Sequence, residues 1–160
     1  MGNALVMMSV NVAHAWKGKQ MPTKLVSYAK DVAKGLGLDR LIVSIRPSGF
    51  GKAKKEMGHD LDFETYCWSV QEGTGKPIDP WLRSLSWSGL ELLAVNVAAM
   101  TVNVPNGEFE GYKAGYKPDA WAEVAPGIWE CQEVGVWTVD DSIGIATYVE
   151  HNVWGEIPLT

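Results

Sequence analysis

The sequence predicts an α/β domain built on a mixed sheet, and three observations predict it. An apolar run at residues 4–13, an amphipathic stretch from Pro22 to Leu36 and a second apolar run at residues 40–45 have the spacing of a βαβ unit. Farther on, residues 128–139 and 143–148 alternate apolar and polar side chains, as antiparallel strands do. The composition is that of a globular chain, with 160 residues, 46% apolar and 21% charged, which excludes disordered, collagenous and membrane-spanning classes.

The first strand is carried by Leu5, Val6, Met7, Met8, Val10 and Val12, a nearly continuous apolar run that suits burial on both faces. No Lys or Arg precedes it, so the basic start of a secretion signal is missing. Residues 16–23 then form a polar turn, and Pro22 suits a first helical position, where a missing amide costs nothing. In the helix that follows, Leu25, Tyr28, Ala29, Val32, Ala33 and Leu36 recur at three- and four-residue spacing, up to the Gly35–Leu36–Gly37 stop. The second strand, 40–45, completes a unit with parallel pairing and a right-handed crossover.

Residues 49–58 read as a mobile, Lys-rich loop, 60–70 as a short helix, 71–80 as a Gly/Pro-rich connector and 81–88 as a second short helix. A strand follows at 90–104. Residues 105–116 hold turns and at most one helical turn, and antiparallel strands run from Trp121 onward. The expectation is one domain with one core, divided into a βαβ core (1–48), a loop with short helices (49–89) and C-terminal strands (90–160).

The net charge of −5 argues against a basic nucleic-acid binder. It conceals a split: residues 1–55 hold ten Lys/Arg against two acids, or +8, and residues 56–160 carry −13. Such asymmetry marks either an anionic partner for the basic part or two solvated faces. Cys67 and Cys131 are too few for a disulfide framework and read as reduced thiols of a cytoplasmic protein. Cys67 lacks an adjacent base and reads as a buried, inert thiol. His14, His59 and His151 are dispersed, and residues 59–62 read as a loop leading into a helix N-terminus, so no metal site is expected. Trp81, Trp87, Trp129, Trp137 and Trp154 read as core residues.

The chemistry is expected at the first strand-to-helix turn, where a helix's first amides lack internal partners and attract an anion. Lys17, Lys19 and Lys24 surround it. Dinucleotide and P-loop motifs are absent, which leaves a basic, single-glycine phosphate cradle.

Residues 10–48, with Trp16-Lys17-Gly18-Lys19-Gln20-Met21-Pro22-Thr23 and Leu41-Ile42-Val43-Ser44-Ile45-Arg46-Pro47-Ser48, resemble the acyl-CoA-binding core of the GNAT N-acetyltransferase superfamily. Asp79-Pro80-Trp81-Leu82-Arg83 and Asn152-Val153-Trp154 resemble blocks of a poorly characterised bacterial GNAT-like subgroup. The resemblance implies acetyl-CoA or another acyl-CoA as substrate. Pantetheine would lie along Asn11, Val12 and Ala13 in a cleft between the parallel strands, and the pyrophosphate on the turn of Lys17, Gly18, Lys19, Gln20, Met21 and Thr23. In the family's phosphate motif Gln20 and Pro22 stand where glycines belong. The family's proton-donating tyrosine falls on Leu85, so Tyr66 becomes the substitute catalytic acid, with an aromatic packed on the core as its other reading. The family's fold places about three strands and two helices before the strand that here begins at Ala4. The resemblance therefore implies a truncated chain, a lost half-domain or a partner at the first strand's exposed edge, with self-association as an outcome.

The functions expected are N-acyl transfer from CoA to an amine, in an incomplete or degenerate form, or a non-catalytic module that pairs through its first strand. A site for some other phosphorylated small molecule is the third reading. Neither a nucleic-acid nor a membrane partner is expected.

Overall fold

The computed structural model describes residues 2–16, 19–131 and 135–159. The elements in chain order are β1 (Ala4–Met7), α1 (Met21–Gly35), β2 (Arg40–Ile45), α2 (Phe50–Met57), α3 (Phe63–Trp68), α4 (Pro80–Ser86), β3 (Glu91–Pro105), α5 (Asn106–Ala114), β4 (Ala122–Ala125), β5 (Ile128–Glu130), β6 (Val136–Asp140) and β7 (Ile145–Ile157). The seven strands form one mixed sheet. Pairing of β1 with β2 is parallel, from Ala4 opposite Arg40 to Met7 opposite Val43, and every other pairing is antiparallel. No helix among the described residues is long and apolar enough to cross a membrane.

Long β7 organises the sheet. Strand β3 runs along one of its edges, while β2 and β6 share the other: β2 pairs with residues 153–157 and β6 with 145–149. Residues 150–152 therefore lie between two partners on that edge. Opposite them β3 slips register between Asn96 and Met100, a bulge that absorbs the discontinuity.

Helix α1 buries a stripe offset from the expected one. Val26 and Ala33 are buried and Ala29 packs on the core, whereas Leu25, Tyr28 and Leu36 are exposed. From β2 the core takes Leu41, Val43 and Ile45, with Phe50, Phe63, Tyr66, Cys67, Leu82 and Leu85 of the short helices and Val153 and Ile157 of β7. Burial of each such aliphatic side chain contributes roughly 1.5–3 kcal/mol.

Several expectations are corrected. Residues 49–58 are not a loop: Phe50 and Lys54 are buried in α2, and its three lysines had masked that face in the sequence. The segment 105–116 carries a nine-residue helix, α5. A second, smaller cluster forms where Phe109 of α5 packs against Trp137, Ala146 and Tyr148, so the described residues hold two apolar clusters rather than one. Trp87 is 75% exposed and is no core residue. The first strand stops pairing at Met7, well before residue 13.

Gly49 is fixed by close approach. A Cβ there would lie 2.6 Å from the Tyr66 hydroxyl and 3.2 Å from Asp79 Oδ2.

Candidate functional site

Beyond Met7 and Val43 the parallel strands part, and a cleft of about 590 Å³ opens between them. Met8, Ser9, Val10, Asn11 and Val12 form one wall, and Ser44, Arg46 and Ser48 the other. Pro22 at the entry of α1, Trp81 at the entry of α4, and Glu150 and Asn152 of β7 complete the lining. Ser9 to Val12 lie beyond the paired register, so their backbone amides and carbonyls have no strand partner.

Polar groups of the cleft converge on Glu150, which is 3% exposed. Its carboxylate receives the Arg46 guanidinium, the Tyr148 hydroxyl at 2.9 Å and the Asn152 amide nitrogen at 3.1 Å. The same orientation of Asn152 lets its amide oxygen accept from Ser44 Oγ at 3.1 Å. Three donors use most of the carboxylate's lone-pair sites, so Glu150 holds its neighbours in place.

The entry of α1 shapes the mouth. Gln20 occupies the left-handed region (φ 55°, ψ 23°), the one non-glycine residue to do so among those described. It supplies no side-chain cap and the first turn carries no acid, so the Met21 and Thr23 amides have no acceptor among the described residues. The ammonium of Lys19 lies 4.8 Å from the Trp16 ring centre. Backbone amides at the positive end of a fifteen-residue helix can hold an anion.

Of the residues expected to bind cofactor, Asn11 and Val12 line the cleft, and Gln20, Met21 and Thr23 surround Pro22 at its mouth. Ala13 and Lys19 are exposed and outside the lining, and Lys17 and Gly18 lie outside the described residues. Sequence reasoning did not single out Ser44, Arg46, Glu150 or Asn152 as site residues. The signal available was that Ser44, Arg46 and Asn152 fall within the quoted family blocks.

Tyr66 is not brought to the cleft. It is 4% exposed and donates to Asp79 Oδ2 at 3.1 Å. Burial, then the Asp79 carboxylate, hold its hydroxyl above the ordinary tyrosine range. Fully buried Asp79 also accepts from the amides of Gly49 at 2.7 Å, Trp81 at 2.8 Å and Leu82 at 3.0 Å. Tyr66 thus touches the cleft only through the residue that anchors Trp81. Leu85 is buried in α4 and offers no proton. Burial, followed by the nearby carboxylates, pushes the Cys67 thiol up to about 12, which makes it inert. No group of three metal-ligating side chains occurs among the described residues.

The charge split has a partly structural origin. Arg40 pairs with Glu156, Arg46 with Glu150 and buried Lys54 with Glu130, each linking the basic part to the acidic one.

No protein-family model and no curated protein matches the chain. Among solved structures it is similar to the loading GNATL domain of CurA from Lyngbya majuscula, with a TM-score of 0.56 at 12% identity. The match covers 99% of this chain and 56% of that one, so the chain spans little more than half the length of that structure. The likeness establishes a GNAT-like fold.

Proposed function

We propose that the chain binds an acyl-CoA in the cleft between β1 and β2 and acts as a GNAT-like N-acyltransferase. The observation that carries this reading is the parting of the parallel ladder after Met7 and Val43, which leaves the backbone of residues 9–12 unpaired beside an open cleft. Pantetheine, a chain of two amides, fits there as a substitute strand. The uncapped start of α1 supplies amides for the pyrophosphate. Asn11, Val12, Met21 and Thr23 keep the roles expected of them, and Ser44, Arg46 and Asn152 join the lining.

Isothermal titration with CoA tests the reading directly. Binding that is lost when Ser44→Trp fills the cleft supports it, and the absence of heat at about millimolar CoA, a concentration that detects even weak sites, contradicts it.

A second reading has its own observation. Among the described strands β1 pairs with β2 alone, so its other edge is open, and its Val6 side chain is 45% exposed, which favours a non-catalytic module that self-associates through that edge. Light scattering that shows an oligomer lost in Val6→Lys, together with no CoA binding, would favour it.

A further inference from the structure

A second cavity, of about 500 Å³, adjoins the cleft and shares Arg46 with it. Its size is in the range that encloses small molecules. Register explains its walls: Val102 of β3 and Trp137 of β6 both stand opposite Tyr148 of β7, and Met100 stands opposite Glu150. Directly opposed residues share a face of the sheet, so these side chains form one apolar and aromatic surface. Helix α5, anchored by buried Phe109 with its ring centre 5.0 Å from that of Trp137, brings Glu108 to the rim.

The charges at this cavity do not cancel. Arg46 is engaged by Glu150, whereas Glu108 makes no hydrogen bond or ion pair with any described residue. An apolar hollow with one uncompensated carboxylate at its rim is complementary to a small organic cation.

We propose that this cavity is the acceptor site and that it takes a small primary amine with an aromatic or branched apolar body, whose ammonium docks on Glu108. The assignment rests on the acyl-CoA reading of the cleft. It also means that β3, α5, β6 and β7 build the acceptor site from within the chain. In the transfer, the docked ammonium first releases one proton to solvent at the open rim, and the lone pair of the resulting neutral amine attacks the thioester carbonyl carbon, so that a C–N bond forms and the C–S bond breaks. The bonding pair leaves with sulfur, and the proton lost from nitrogen balances as CoA thiol. Arg46 and Glu150 are positioning residues at the shared wall.

Titration of the full chain with phenethylamine and with 2-phenylethanol, each with and without bound CoA, tests the proposal. Phenethylamine should bind about fivefold tighter than the alcohol, and Glu108→Gln should erase that preference, as expected of a solvent-accessible ion pair. Val102→Trp should abolish amine binding while CoA still raises Tm, which shows that the variant folds. Equal binding of the two probes, or a preference that survives in Glu108→Gln, overturns the ligand class. Weakened binding of octanoyl-CoA but not CoA by Val102→Trp overturns the acceptor assignment in favour of an acyl-tail pocket. Phenethylamine binding without any CoA binding overturns the acceptor role and, separately, the acyl-CoA reading.

Discussion

The guanidinium of Arg46, one residue past the end of β2, meets the buried carboxylate of Glu150 at the stretch of β7 where β2 has ended and β6 has not yet begun. This pair closes the sheet's discontinuity and stands between the two cavities. Removal of the arginine leaves Glu150 with the Tyr148 hydroxyl and the Asn152 amide as its donors among the described residues. Arg46→Met should therefore cost about 2 kcal/mol, below the full value for a buried pair because the arginine is half exposed. Urea unfolding measures this, and a loss under about 0.5 kcal/mol, typical of surface pairs, would show that the pair is only superficial.

Tyr66→Phe separates a structural role from a catalytic one. Its hydroxyl is one of four donors to Asp79, so its loss should cost about 1 kcal/mol. Transfer rate per folded molecule should stay within about twofold of wild type, since a missing general acid typically costs 10²-fold or more. A drop of that size at unchanged CoA affinity would restore Tyr66 as the proton donor.

Gln20 holds a backbone conformation that glycine adopts without strain. Gln20→Gly should raise stability by about 0.5 kcal/mol, because relief of the left-handed strain slightly exceeds the added freedom of the unfolded chain. CoA affinity should rise as well, since glycine at this position lets the backbone amides approach a pyrophosphate more closely. A lower Tm together with weaker CoA binding would show that the Gln20 side chain is itself part of the site.

Three exposed carboxyls contribute to stability toward acid. Asp62 is lowered first by the Thr65 amide it caps, Asp140 by the Ser142 hydroxyl and Glu156 by its hydrogen bond from Arg40. With folded values below the ordinary 3.8 and 4.5, the folded state binds these protons more weakly than the unfolded state. Their contribution is complete above about pH 4.5 and is lost as pH falls through the lowered values. Urea midpoints should agree at about pH 7 and pH 5.5 and fall by about pH 3, with a smaller fall in Asp62→Asn. A midpoint that climbs on acidification would contradict this.

The sequence carried the βαβ unit because its signals are local: Pro22 opens α1, glycines close it, and β2 is a pure apolar run. Composition cannot say where pairing stops, so the run through residue 13 hid the parting after Met7 that makes the cleft. Asn11 and Val12 were legible because they follow that strand directly. Glu150 was not: it is remote from Arg46 in sequence, and its burial comes from three long-range elements meeting at one gap in β7. Lysines and glycines likewise disguised α2, where buried Lys54 is neutralised by Glu130, 2.6 Å away in space and 76 positions away in sequence.

The central claim is that the opened β1–β2 cleft holds the pantetheine of an acyl-CoA. Amide chemical-shift mapping of the full chain with CoA tests it most directly. Binding should shift the amides of Ser9, Asn11, Val12, Met21, Thr23 and Ser44 together, and leave those of Tyr66 and Cys67 in place. Shifts confined to other parts of the sheet, or none at about millimolar CoA, would contradict it.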